Sequence, residues 1–195
     1  QGILVTMTTS QHQSLSLKAF LNVSPTQPES EYINGQIIQK PMPKARHSRL
    51  QTKLLQAINA VAEDAQLAYG FSELRCTFGD RSLVLDIAVF YWERIVLDAS
   101  GEPVDDVQQA PDWVIEILSP QQSPNRVAGK LLHCLQYGSQ MGWLVDPGDR
   151  SILVFQPQRE PILYEGSTPL PQLANLPLTL TCDRVFGWLQ MTPPN

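Results

Sequence analysis

Cysteine is scarce in this chain and long apolar runs are absent. The three cysteines, Cys76, Cys134 and Cys182, are odd in number and form no CxxC pair, so neither a disulfide framework nor a zinc knuckle organises the fold. Cys134 falls in an amphipathic stretch, where a small thiol reads as core. No apolar run approaches the roughly 18 residues of a membrane span. The start, Gln1 to Gln13, lacks the basic and apolar segments of a secretory signal. No membrane association is therefore expected, and the cytoplasm is the expected compartment. The GxxxxGK[ST], GxGxxG and GxSxG patterns are missing too, which removes phosphate-loop, dinucleotide and nucleophile-elbow chemistry. Beyond scattered tryptophans, nothing indicates the sugar cleft of a glycosidase.

Acidic residues are missing from one long stretch. Between Tyr32 and Ala62 there is no Asp or Glu, yet Lys40, Lys44, Arg46, Arg49 and Lys53 all fall there. Acids gather instead at Glu93, Asp98, Glu102, Asp105 and Asp106. The net charge of -5 argues against a protein that coats nucleic acid electrostatically, but the uneven distribution predicts a basic side. At 195 residues the chain suits one domain with a sizeable core. Residues 1–30 read as a polar arm with a short helix within Leu15 to Val23, and residues 31–195 as a single domain.

In chain order, Glu31 to Ile38 reads as a hairpin, because Asn34-Gly35 supplies the two positive-φ residues of a type I′ turn. From about Arg46 to Tyr69, Leu50, Leu54, Ala57, Ile58, Val61, Ala65 and Ala68 recur at helical spacing, and Gly70 supplies a stop. Phe71 to Phe78 predicts a strand, antiparallel through Gly79-Asp80 to a second that carries Asp86. Glu93 to Gln109 has no period and reads as an exposed loop. A strand with Glu116 follows Pro111, and Ser123-Pro124 opens a helix. Gly142 to Val145 and Ser151 to Phe155 flank a turn sequence, Asp146 to Asp149. Ile162 to Tyr164 adds a short strand, Leu178 to Thr181 a last one, and Asp183 caps a helix ending near Gln190. The expected class is mixed α/β or α+β.

Two apolar runs are each interrupted by one carboxylate, Asp86 in Leu83 to Phe90 and Glu116 in Trp113 to Leu118. A carboxylate inside a buried strand costs several kcal/mol, roughly, unless a cation receives it. On strict alternation Val84, Asp86, Ala88 and Phe90 share one face, as do Val114, Glu116 and Leu118. A divalent cation between the two acids lets both stay ionised, and oxygen ligands suit Mg²⁺ or Mn²⁺. The alternative is that each acid pairs with a buried Lys or Arg. Lys130 borders the apolar side of the next helix and is placed either to stabilise a developing anion or to snorkel over the core. Glu31 is either a third carboxylate or an exposed strand acid. His47 sits at a helix start among basic residues, where it meets phosphate or merely caps. His133, one turn from Lys130, is either its neighbour or polar surface.

In this order, Glu31-Tyr32-Ile33-Asn34-Gly35, Leu85-Asp86-Ile87-Ala88-Val89, Pro111-Asp112-Trp113-Val114-Ile115-Glu116-Ile117-Leu118-Ser119-Pro120, Lys130 and Gly142-Trp143-Leu144-Val145-Asp146-Pro147 resemble the PD-(D/E)XK nuclease superfamily. Within it they resemble in particular the Uma-type restriction-endonuclease-like family, long a domain of unknown function. The resemblance runs from about Glu31 to Trp188. It implies a restriction-endonuclease-like core with a central mixed sheet flanked by helices, in which Asp86 and Glu116 bind Mg²⁺ (or Mn²⁺), a lysine assists phosphodiester hydrolysis and Glu31 sits near the metal. Leu85 stands in place of the motif proline and Leu118 in place of the motif lysine, which the family moves to the next helix, where Lys130 matches it. Arg126 stands where relatives often carry an acid.

These readings define an expected Mg²⁺-dependent endonuclease acting on nucleic acid, DNA first. Asp86, Glu116, Lys130 and Glu31 would be catalytic, and Lys44, Arg46, His47, Arg49 and Lys53 would track the backbone. A homodimer is compatible with cutting both strands. The rival expectation is a catalytically inactive binding module on the same fold, its acids kept as structural pairs.

Overall fold

The interrupted apolar runs become the central strands of one mixed sheet. In the computed structural model, which describes residues 15–192, the elements are α1 (Leu17–Leu21), β1 (Ser30–Ile33), β2 (Gln36–Gln39), α2 (Ala45–Ala62), β3 (Ala68–Phe78), β4 (Arg81–Tyr91), β5 (Trp113–Ile117), α3 (Pro124–Gln136), β6 (Met141–Asp146), β7 (Ser151–Phe155), β8 (Ile162–Tyr164) and α4 (Cys182–Gly187). The strands run β2-β1-β4-β5-β6-β7-β8, with β3 also paired to β4. Among the described strands only β5 and β6 pair in parallel, and α3 is the crossover that such a pair requires.

Both faces of the sheet are covered. On one, Leu50, Leu54 and Ile58 of α2 pack with Ile87, Val89, Trp113, Ile115, Ile117 and Trp143, joined by Val185 and Phe186 of α4. On the other, Val127, Leu131 and Cys134 of α3 pack with Leu83, Leu85, Ala88, Phe90 and Val114. Leu85 and Ala88 therefore share a face while Ile87 takes the opposite one, which corrects the strict alternation expected along β4. The phase slips by one residue at Asp86. Opposite it, Glu73 on β3 has a left-handed φ of 47°, so both strands distort together while the register on either side stays the same.

Several boundaries differ from the sequence reading. The long helix ends at Ala62 rather than Tyr69, because Gln66 turns left-handed at φ 50° and Leu67 N donates to Ala62 O; Ala68 is already the buried start of β3. Leu178 to Thr181 forms no strand, only a Pro169–Thr181 bridge: Pro169, Pro171 and Pro177 interrupt the donors that a ladder needs, and Leu178 and Leu180 are buried as loop residues. Thr181, not Asp183, caps α4, its side chain accepting from Arg184 N, and α4 stops at Gly187. The Asn34-Gly35 hairpin has both residues at positive φ, 51° and 80°. Phe20 of α1 lies against the Tyr32 ring, whose hydroxyl donates to Leu15 O. Residues 1–14 of the expected arm, His12 included, lie outside the described residues.

β4 is the element that positions the site. Its pairing with β3 runs from Arg81 to Tyr91, skipping the Glu73–Asp86 position, whereas its other edge is shared. β1 reaches it only at Ser82, and β5 only from Ile87 to Val89. Between those two contacts Val84 and Asp86 expose main-chain groups in a buried setting, and such groups need partners.

Candidate functional site

Side chains fill that gap. Val84 N donates to Glu31 Oε1 at 2.9 Å, and Asp86 N to Glu116 Oε1 at 3.1 Å. Val84 O accepts from Lys40 Nζ at 3.0 Å, and Asp86 O from Gln51 Nε2 at 2.7 Å. Asp86 reaches across to β5, where its Oδ2 accepts from Ile117 N at 2.8 Å. Carboxylates thus take the ladder bonds that β1 and β5 do not supply.

Two lysines neutralise part of this cluster. Lys130 Nζ lies 2.7 Å from Glu31 Oε1 and 2.8 Å from Glu116 Oε2; all three residues are buried, which rules out the snorkelling lysine and the exposed strand acid. Lys40 Nζ lies 2.7 Å from Asp86 Oδ1 and 3.0 Å from Glu73 Oε2. His47 is also buried, its Nε2 at 3.0 Å from Asp86 Oδ2. An ionised carboxylate only accepts, so that nitrogen carries the proton. His47 Nδ1 is buried without a partner.

The electrostatics follow from burial and neighbours. Burial alone would raise Asp86, but the His47 hydrogen bond and the Lys40 charge hold it well below the usual carboxylate range. Burial works against the Lys130 charge, yet Glu116 and Glu31 raise it, so the ammonium stays protonated. Lys40 is raised in the same way, chiefly by Asp86 against its burial. Burial pushes the Glu116 carboxyl up to about 7, with Lys130 opposing and Asp86 adding.

The remaining sequence candidates lie elsewhere. Lys44 and Arg46 are exposed at the start of α2. Arg46, Arg49 and Lys53 line a shallow hollow with Leu189 and Met191, and Arg49 Nε bonds Trp188 O. The structure brings His47 to the acids but not these four basic residues. His133 contacts Phe78, through the carbonyl and the ring, rather than Lys130. Asp112, another buried acid, pairs with Arg94 at 2.6 Å and accepts from Tyr91 N, outside the cluster. Lys40, Gln51 and Glu73 are site residues that the sequence reading did not single out. A signal for Lys40 existed: the two-residue turn fixes the Glu31–Ile38 register, and Lys40, two residues on from Ile38, falls on the face of Glu31.

Among the described residues no three His, Cys, Asp or Glu side chains converge as a metal cage. The donor set nevertheless suits a hard cation, because Mg²⁺ is commonly held by one or two carboxylates with the rest of its shell water. Charge points the same way. His47 aside, three buried carboxylates, counted as ionised, face two ammoniums, which leaves one negative charge in excess.

Three hollows border the cluster: one of 650 Å³ touches it at Gln51, Glu73 and Val84, and the other two reach its lysines. A hollow of 40 Å³ lies over Lys40, His47, Glu73 and Asp86, bordered by Ser119 and Gln122. A cleft of 830 Å³ between the β1–β2 hairpin and the start of α3 reaches Glu31, Lys40 and Lys130, with Arg81 and Arg126 on its walls.

Comparison with known proteins identifies the family and the fold. The sequence model of the Uma2 family, described as "Putative restriction endonuclease", matches residues 15–188. Among solved structures, the chain is similar to a "putative nuclease belonging to DUF820" from Anabaena variabilis, with 45% identity and a TM-score of 0.88 over 90% of this chain and 99% of that one. No curated protein matches. The mixed sheet and its flanking helices form a restriction-endonuclease-like core, and the chain belongs to the Uma2 family.

Proposed function

We propose that this protein is a divalent-cation-dependent endonuclease that hydrolyses phosphodiester bonds of nucleic acid, DNA in the first instance. One observation carries the reading: Glu31, Asp86 and Glu116 meet at the gap along β4 with one negative charge more than Lys40 and Lys130 supply. Asp86 and Glu116 are the residues that would hold Mg²⁺ or Mn²⁺. Such an ion, when bound, supplies charge neutralisation at the phosphate and an activated water.

The chain's own residues have distinct tasks. Lys130, fixed between Glu31 and Glu116, positions the Glu116 carboxylate, and because it stays protonated it acts as an electrostatic stabiliser rather than a base. Glu31 holds Lys130 and the Val84 N–H together, which keeps the gap open on the cleft side. His47 orients Asp86. The nucleic acid enters through the 830 Å³ cleft, where Arg81 and Arg126 meet phosphate oxygens without reading bases. Lys44 and Arg46 extend the positive surface at the α2 start.

Cleavage of supercoiled plasmid in Mg²⁺ or Mn²⁺ tests this. Wild type should nick or linearise it, with Asp86→Ala inactive and Lys130→Ala strongly impaired. An Asp86→Ala protein as fast as wild type would sink the assignment. The second reading, an inactive module on the same fold that binds nucleic acid or protein, is favoured by the existing ion pairs, since each central acid already has a lysine. It predicts no heat at Asp86 and Glu116 in Mn²⁺ calorimetry.

A further inference from the structure

The two lysines of the cluster are not equivalent. Lys130 comes from the middle of α3, touches two buried carboxylates and is 4% exposed. Lys40 follows the last residue of β2 and precedes Pro41. It lies under the 40 Å³ hollow, and its second acid, Glu73, has a side chain 41% exposed. Lys130 has nowhere to go. Lys40 can swing outward with Glu73 without breaking a helix; the bond it gives up is its donation to Val84 O at 3.0 Å, an oxygen that Lys130 Nζ also faces at 3.5 Å.

We propose that Lys40 is a resident counter-ion for Asp86 that a divalent cation displaces, so that Lys40 sets the cation affinity of the site. The proposal rests on the metal-nuclease reading and deepens it. Charge balance supplies the argument. With Glu31, Asp86 and Glu116 ionised and His47 neutral, the cluster with Lys40 in place keeps one negative charge in excess; adding a divalent ion beside it would leave one positive charge in excess. Exchanging the ammonium for the ion makes the cluster neutral, which a low-dielectric setting favours. The exchange also frees an ammonium at the mouth of the cleft, since Lys40 lines both the 40 Å³ hollow and the cleft. Glu73 is the tether that receives it: one carboxylate oxygen binds Lys40, the other Gln51 Nε2.

Two measurements on the full chain test this without an activity assay. Mn²⁺ calorimetry compares wild type with Lys40→Met. Removal of the competitor should tighten binding at least about tenfold, the equivalent of one charge-assisted hydrogen bond, and Asp86→Asn added to Lys40→Met should abolish the gain. In ¹⁵N-lysine-labelled wild type, the Lys40 ammonium signal, identified by its loss in Lys40→Arg, should disappear into solvent exchange on Mg²⁺ addition while the Lys130 signal persists. The second readout stands even if Lys40→Met folds poorly. Equal or weaker Mn²⁺ binding in Lys40→Met, or a Lys40 signal unmoved by saturating Mg²⁺, overturns the proposal and leaves the metal reading standing. Absence of binding to either protein overturns both.

Discussion

Replacing Lys130 with methionine isolates the energetics of the site. The ammonium touches Glu31 Oε1 and Glu116 Oε2 at 2.7 and 2.8 Å, and its removal leaves two buried carboxylates facing each other without a counter-charge. Methionine fills nearly the same volume, so the cavity contribution is small. Breaking a buried pair in this way costs about 3–5 kcal/mol, which for a chain of this size lowers the melting temperature by roughly 6–20 °C. Adding Glu31→Gln should recover much of the loss by removing one of the two stranded charges. The deficit also has a predicted pH dependence. Burial already raises Glu116 to about 7, and loss of Lys130 raises it further. A carboxyl whose folded pKa is raised costs stability when ionised, and the cost fades as pH falls toward its ordinary value. The Lys130→Met deficit should therefore be larger at pH 8 than at pH 6. Thermal unfolding by circular dichroism at both values, without divalent ions, measures it. A variant melting within about 2 °C of wild type would refute a desolvated ion-pair cluster.

Two further outcomes follow from the same geometry. Asp86 sits below the usual carboxylate range, so its contribution is present above the ordinary Asp pKa and lost as pH falls below it; Asp86→Asn should flatten the acid limb of a stability profile, and an unchanged limb would contradict the His47 and Lys40 contacts. Arg81→Ala and Arg126→Ala should weaken DNA binding, measured by fluorescence anisotropy in Ca²⁺, and each should reduce the salt slope by about 0.9; Arg49→Ala, at the far hollow with Leu189 and Met191, should leave the slope unchanged.

Much of the fold was legible because it rests on local rules. Asn34-Gly35 fixed the hairpin, the apolar runs fixed β4 and β5, and Ser123-Pro124 opened α3. Glu116 was placed on the right face because β5 alternates regularly. Asp86 was found as a buried acid, but not its orientation: the phase slip in β4 depends on the left-handed Glu73 opposite, and no single-strand pattern encodes that. The α2 boundary failed for a related reason, since Ala65 and Ala68 continue the helical spacing by coincidence while a left-handed Gln66 ends the helix. Lys40 was counted only as part of a basic stretch. Composition assigns such a residue to solvent, and only pairing of β1 with β4 brings the hairpin over Asp86.

The carboxylates therefore serve two ends, satisfying main-chain donors and carrying charge, and an amide separates them. Glu116→Gln keeps an oxygen to accept from Asp86 N and removes the charge that burial disfavours. Its NH₂ then stands where Oε2 met Lys130 Nζ, a donor facing a donor, so Lys130 turns wholly to Glu31. Glu116→Ala instead leaves the Asp86 N–H unpaired and opens a cavity. Above pH 7 the wild-type carboxylate is held ionised at a cost, so Glu116→Gln should compare more favourably with wild type at pH 8 than at pH 6, staying within about 1 kcal/mol at the higher value. Glu116→Ala should lose about 2–4 kcal/mol, the sum of an unsatisfied donor and lost packing. Denaturant unfolding of the three proteins reads both numbers. If Glu116→Gln fell as far as Glu116→Ala at pH 8, the charge itself would be holding the fold together, and the inactive module with structural ion pairs would be the better reading. A stable Glu116→Gln that no longer binds Mn²⁺ would mean that the buried charge is retained for the cation and not for the fold.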